Sequence, residues 1–222
     1  MSEPGSSHYQ GEQGRRYFSY QNQGGLQRGR INARKFAPYV GVNDVVLDFG
    51  CGNGALLYHL NCRQRIGVEI NPAARQEAHL LGIEVLATLD AIGPASVDLV
   101  ISNHALEHVL CPLDVLRELH ERLRTGGQIV LCLPVDDWRM QRVVNPKDIN
   151  HHLYTWTPLL IGNLLSEAGF AVDNAWIFTH AWPPTHWQWL DARLSVWLFD
   201  LVCRYVAWRD KRRQVMALAH KT

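Results

Sequence analysis

Val45-Val46-Leu47-Asp48-Phe49-Gly50-Cys51-Gly52-Asn53-Gly54 is the stretch on which the fold is decided. A short apolar run halted by glycine reads as a buried strand running into a tight turn, and Asn53 to Leu60 reads as the helix that follows. The glycines let the chain turn and let a ligand approach the main chain, while the start of the helix leaves N–H groups without partners. A second apolar run, Arg65-Ile66-Gly67-Val68-Glu69, ends in an acid 21 residues after Asp48. A carboxylate at that place can accept hydrogen bonds from two ribose hydroxyls.

Working outward, strands and helices alternate. Pro72 opens a helix to about Leu81, which Gly82 ends, and Ile83 to Ala87 is a third strand. Val97 to Ser102 is a fourth. Leu113, Val115, Leu116, Leu119 and Leu123 repeat at helical spacing, with Gly126-Gly127 as the stop, and Gln128 to Leu133 is a fifth strand. Beyond it come a helix over Thr157–Ala168, a strand over Phe170–Phe178, a helical Trp187–Trp208 and a last strand over Val215–Ala219. Short apolar strands separated by helices predict an α/β, doubly wound, mostly parallel sheet with helices on both faces. Residues 1–25 read as a flexible, polar N-terminal segment, and a helix from Leu26 to Ala37 follows, ended by Pro38. Residues 26–222 read as one domain, carrying a Trp-rich helical insertion at about 182–213 between the last two strands.

Composition narrows the function classes. Apolar residues make up 47% of the 222, enough for a full core. Lysine and arginine (22) balance aspartate and glutamate (21), so the net charge of +1 supplies no global basic field, and no nucleic-acid partner is expected. The five cysteines are scattered without a CxxC pair and read as reduced thiols packed as small hydrophobes. No signal peptide is visible in the first 25 residues. The longest charge-free run, Ile149 to Ser166, holds Asn150, His151, His152, Pro158 and Asn163 and would insert poorly in a bilayer. The expected location is cytoplasmic, free or peripheral at the inner face of a membrane.

Gly50-x-Gly52-x-x-Ala55 also fits the dinucleotide fingerprint, which keeps an NAD(P)-dependent oxidoreductase as an alternative. The longer pattern, from about Asp44 to Phe170, resembles the class I S-adenosylmethionine-dependent methyltransferases. Asp48, Gly50, Gly52 and Gly54 match their D-x-G-x-G-x-G motif, and Val68-Glu69-Ile70-Asn71-Pro72 their acidic second strand end. Val97-Asp98-Leu99-Val100-Ile101-Ser102-Asn103-His104 and Leu123-Arg124-Thr125-Gly126-Gly127-Gln128-Ile129-Val130 are similar to their fourth- and fifth-strand segments. The resemblance implies a Rossmann-like, seven-stranded fold and S-adenosyl-L-methionine as cofactor. It places Asp48 at the methionine ammonium with the backbone of Gly50 and Gly52, Glu69 on the ribose, and Ile70, Leu89 and Asp90 at the adenine. Ser102 and Asn103 fall at the methionine end, close to the transferred methyl.

Two candidates stand for acid–base work. His104 follows the fourth strand. His152 lies in Asn150-His151-His152-Leu153-Tyr154-Thr155-Trp156, where a general base and a surface loop anchored by Trp156 both remain open readings. His104-x-x-Glu107-His108 spells a zinc-protease pattern, but it begins at a strand end instead of on a long helix. No metal is expected, and Glu107 and His108 are read as capping and packing residues. Asp48-Phe49-Gly50 spells the kinase DFG without the rest of a kinase. The segment after the fourth strand lacks the N/D-P-P-Y/F of DNA amine methylases. Tyr17-Phe18-x-Tyr20-Gln21 with His152-x-Tyr154-x-Trp156 is similar to methyltransferases of bacterial surface-polysaccharide synthesis. The expected acceptor is a hydroxyl of a sugar or lipid-linked glycan, with a small metabolite or quinone-type hydroxyl as alternative. For the segment with Trp182, Trp187, Trp189, Trp197 and Trp208, a lid or interfacial helix stands beside plain packing on the domain.

Overall fold

Strand β1 (Val45–Phe49) is buried along its whole length and lies between β2 (Gln64–Val68) and β4 (Val97–Asn103), parallel to both. The computed structural model describes residues 7–9, 11–22, 25–137, 139, 141–184, 187 and 189–222. With β3 (Glu84–Leu86), β5 (Leu123–Val135), β6 (Ala171–Phe178) and β7 (Arg213–His220), one seven-stranded sheet runs in the order β3-β2-β1-β4-β5-β7-β6. Only β7 is antiparallel, pairing with β5 and β6. The chain winds outward from β1 on one side and from β4 on the other. The crevice at their carboxyl ends is where such sheets bind ligands.

Helices cover both faces because alternate strand residues point to opposite sides. Leu47 and Phe49 pack with Leu116 and Leu119 of α5 (Pro112–Arg122) and Ile161 and Leu165 of α6 (Pro158–Glu167). On the other side, Val46 joins Phe36 of α2 (Gly25–Phe36), Leu57 of α3 (Ala55–Tyr58) and Ala78 of α4 (Pro72–Leu80). Local chemistry starts two of these helices. Asn71 Oδ1 accepts from Ala73 N at 3.0 Å ahead of Pro72, and Thr157 Oγ1 accepts from Leu160 N at 3.2 Å. The five cysteines are free thiols, with Cys51, Cys132 and Cys203 buried.

Three expectations change. Gly126-Gly127 does not stop a helix: α5 ends at Arg122, and β5 begins at Leu123. Gly126, at φ +77°, donates to Lys221 O, and a Cβ on Gly127 would stand 3.0 Å from Asp98 O. The pair serves an irregularity in the β4–β5 pairing. The N-terminal segment expected to be flexible carries helix α1 (Gly11–Gln21), whereas residues 1–6, 10, 23 and 24 lie outside the described residues. Gly14 packs directly on Tyr9 O, Asn71 Nδ2 donates to Gly14 O at 2.8 Å, and Asn22 bridges Asn53 and Glu77. Between β6 and β7 the helical stretch is two pieces, α7 (Leu190–Arg193) and α8 (Val196–Arg209). They are parted at Leu194–Ser195, where the Ser195 hydroxyl accepts from Leu198 N.

Leu116 is fully buried between the sheet and α5. Leu116→Ala should therefore lower unfolding stability by about 2–5 kcal/mol, read as a lower urea midpoint at unchanged slope.

Candidate active site

A pocket of about 780 Å³ opens at the carboxyl ends of β1 and β4, with residues of α1 and α2 on its outer wall. Its inner end is built by the glycine turn. Gly50 and Cys51 both donate to Val68 O, folding the chain back on β2. Gly50 adopts φ +77°, and a Cβ there would meet Ala105 Cβ at 2.3 Å, so no other residue fits. Gly52, at φ +55°, faces open space, which lets a ligand lie against its backbone. Gly54 is the N-cap of α3.

Asp48 is 2% exposed, and its Oδ1 has no hydrogen-bond partner among the described residues. Burial, aided by the neighbouring Glu69 charge, pushes the carboxyl up to about 8. Glu69 is also raised by burial, opposed by backbone donors: Oε1 accepts from Asn71 N at 2.7 Å and Oε2 from Gly52 N at 3.0 Å. Each of its oxygens keeps further acceptor capacity for a ligand. Arg75 Nη1 holds the Glu69 and Ile70 carbonyls at 2.8 and 2.9 Å.

The other predicted residues divide. Ile70, Asn103, His104 and His152 line the same pocket as Asp48 and Glu69. Leu89 does not: it is buried in the core, and Asp90 is exposed away from the pocket, which Ala87 lines instead. Ser102 is buried with its hydroxyl donating to Phe49 O at 2.8 Å, so it ties β4 to β1 and does not line the pocket.

The outer end is a cluster of imidazoles and carboxylates. His104, at φ +57°, places Nδ1 3.5 Å from Glu107 Oε1, and His108 Nε2 stands 3.8 Å from the same oxygen. Glu107 is fully buried, and neither carboxylate oxygen is hydrogen-bonded to any of the described residues. His152 Nδ1 donates to Asp136 Oδ2 at 2.8 Å. Desolvation opposes charge on His104, but a hydrogen bond to Cys132 and the Glu107 carboxylate outweigh it and carry the group up to about 10. Burial pushes His108 down to about 4. His152 is raised against its burial by Asp136, which is itself held low by the imidazole. His104-x-x-Glu107-His108 sits on a strand end and a single turn of 3-10 helix (Leu106–His108), not on the long helix of a zinc protease.

A family model described as a methyltransferase domain matches residues 18–175, most of the chain. The chain belongs to this methyltransferase family. It is a class I domain using S-adenosylmethionine as methyl donor, which settles the glycine turn against the nicotinamide reading. The orphaned oxygen of buried Asp48 and the open face of Gly52 fit that cofactor's α-ammonium and methionine backbone. Curated relatives include the tRNA U34 carboxymethyltransferases of Shewanella sp. strain W3-18-1, 34% identical over 124 residues, and of Shewanella piezotolerans, 33% over 134. Those alignments cover 48% and 51% of this chain and 36% and 39% of the relatives, so the methyltransferase spans well under half of their length. Among solved structures, a possible histamine N-methyltransferase from Thermotoga maritima is 16% identical, with TM-score 0.64 over 92% of this chain and 95% of that one. A methyltransferase from Archaeoglobus fulgidus is 17% identical, with TM-score 0.64 over 92% and 99%. These share the fold.

Asp136, Lys35 and Tyr9 also stand at the site, outside the motifs. Lys35 Nζ donates to Asn103 Oδ1 and Gln214 Oε1, both at 3.1 Å, and Tyr9 Oη meets His108 Nδ1 at 2.6 Å. Asp136 alone carried a signal, as an acid just past the carboxyl end of β5.

Asp48 has a direct consequence. With a carboxyl raised to about 8, the free methyltransferase holds a proton there at neutral pH, which a cofactor ammonium seated on Asp48 would displace. Cofactor affinity should rise roughly tenfold per unit as pH rises between about 6 and 7, with proton release on binding. Calorimetry in buffers of different ionisation enthalpy reads that release; none at neutral pH contradicts the assignment.

Proposed function

We propose that the methyltransferase moves the sulfonium methyl of S-adenosylmethionine onto a hydroxyl oxygen of a small polar acceptor, a sugar or glycolipid of surface-polysaccharide synthesis. The observation that carries this reading is that one pocket joins the Asp48–Glu69 cofactor end to a wall of His104, His152 and Asp136. Methyl transfer from a sulfonium is an in-line displacement, so alignment and exclusion of water do most of the work. A hydroxyl also has to give up a proton. His152, oriented by Asp136, is the side chain through which the acceptor oxygen is made nucleophilic. His104, cationic at neutral pH, offsets the Glu107 charge and positions the acceptor. Asn103, steadied by Lys35, stands at the methionine end, while Ile70 and Ala87 flank the adenine.

Tyr17, Phe18, Tyr20 and Trp182 line the pocket and suit the apolar faces of a sugar ring. The lipid-linked option draws on α8. Phe199, Cys203, Val206 and Ala207 pack inward, while Trp197, Leu201, Tyr205 and Trp208 are exposed on the other face beside Arg204 and Arg209. No helix among the described residues is long and apolar enough to cross a membrane.

A second reading, group transfer to a tRNA nucleoside, is favoured by the relatives named above, which are tRNA U34 carboxymethyltransferases. The net charge of +1 disfavours it. Methyl-labelled cofactor offered with sugar nucleotides, a glycolipid extract and bulk tRNA separates the two. Label is expected in a sugar or glycolipid product, and label in tRNA alone overturns the proposal.

Two variants divide the pocket. His152→Ala should lower kcat about 10²- to 10⁴-fold with cofactor affinity little changed. Asp48→Ala should weaken cofactor binding in a folded protein. Calorimetry and steady-state rates on both variants check the split.

A further inference from the structure

We propose that Glu107, His108 and His152 form a binding site for one divalent transition-metal ion at the acceptor end of the pocket. The site stands on geometry; its use in activating a hydroxyl rests on the function proposed above. One ligand atom from each of the three residues lies within 4.8 Å of the others. A tetrahedral ion with bonds of about 2.1 Å spaces its ligands roughly 3.4 Å apart, so side-chain shifts of about an ångström close the set.

Three observations converge on it. Glu107 is fully buried, and neither of its carboxylate oxygens has a hydrogen-bond partner among the described residues, so the only compensation is the imidazoles at 3.5 and 3.8 Å. His104 offsets the charge from 3.5 Å without a hydrogen bond, so both buried oxygens keep lone pairs that a coordinated ion would satisfy. Next, both histidines have Nδ1 committed elsewhere. Asp136 Oδ2 accepts from His152 Nδ1 at 2.8 Å. Tyr9 Oη donates to Asn150 O at 2.5 Å and therefore accepts from His108 Nδ1 at 2.6 Å. In each ring Nε2 is left with the free lone pair, which is how outer partners fix metal-binding histidines. Tyr17 Oη, 3.4 Å from His108 Nε2, is the nearest competitor for that lone pair. Finally, all three residues line the pocket, so a fourth position remains open toward the acceptor.

Two imidazoles with one carboxylate suit Zn²⁺ or a neighbouring first-row divalent ion and not Mg²⁺ or Ca²⁺, which take oxygen ligands. The set is not the one spelled by the sequence pattern, since His152 from a distant loop replaces His104. With His152 acting as a ligand of the ion and not as the base, an acceptor hydroxyl on the open position becomes more acidic and loses its proton to solvent. Its oxygen forms the bond to the methyl carbon, the S–CH₃ bond breaks, and the electron pair returns to sulfur. The products are the methyl ether, S-adenosylhomocysteine and one proton.

The test is Co²⁺ titration of the EDTA-treated full chain, followed by visible absorption, beside elemental analysis of the protein as purified. One ion per chain with the intense visible bands of low coordination number is expected. The bands should be lost in His108→Ala and Glu107→Gln and kept in Asp48→Ala. Asp136→Asn, which leaves every ligand in place, should weaken the metal roughly 10- to 100-fold, an effect a packing role would not produce. Far-ultraviolet dichroism and cofactor binding verify that each variant is folded. Absence of stoichiometric Co²⁺ in the folded wild-type chain overturns the site. If the metal-free chain still methylates a hydroxyl at full rate, the metal's role fails while the proposed function stands. If Co²⁺ binds as described but no hydroxyl acceptor is methylated, the site stands and that function fails.

Discussion

A carboxylate buried at the end of a fully buried parallel strand is the constraint on which this molecule is organised. Asp48 can be there because β1 is flanked on both sides and covered on both faces, which leaves its last polar residue no route to solvent except the pocket. Its oxygen, unpartnered among the described residues, is costly in the free protein and would be relieved by a cation of the right size in that pocket. The glycine turn follows from the same demand. Any side chain at Gly50 would strike Ala105, and the turn would swing away from the carboxylate it serves.

The acceptor end obeys a different logic, assembled from pieces far apart in the chain. The 3-10 turn after β4 carries Glu107 and His108, the residues after β5 bring Asp136, and a loop pinned by Leu153 N donating to Glu107 O at 2.9 Å brings His152. Tyr9 closes the group from the N-terminal side, and α1 is tied to the start of α4 through Asn71. The segment that covers the pocket thus also helps to fix the imidazole of His108.

The parts read easily from the sequence are those whose chemistry is local. The Asp48–Gly54 turn, Glu69 at its strand end, and the alternation of strands and helices depend on neighbours within a few residues, and they fold as read. Gly126-Gly127 is ambiguous in sequence because glycine suits a helix stop and a bulged strand equally; the choice is made by Lys221, which pairs with both glycines from the far end of the chain. Leu89 and Asp90 lay beyond reach for a related reason, since the short β3 ends at Leu86 and the turn after it carries them away from the pocket. Helix α1 was hidden by polar composition, its order coming from contacts with Tyr9 and Asn71 that only the folded chain supplies. His152 was legible as a residue type but not as a geometry, because its partner Asp136 stands across a loop of no regular pattern.

The central claim is that the two ends are one site, with the reacting methyl between them. A crystal structure of the full chain with S-adenosylhomocysteine tests it most directly. The account predicts the amino group on Asp48, the ribose on Glu69, and the sulfur turned toward the His104–Glu107–His152 wall with open space between for an acceptor. A sulfur turned away from that wall, or a cofactor seated elsewhere, would contradict it.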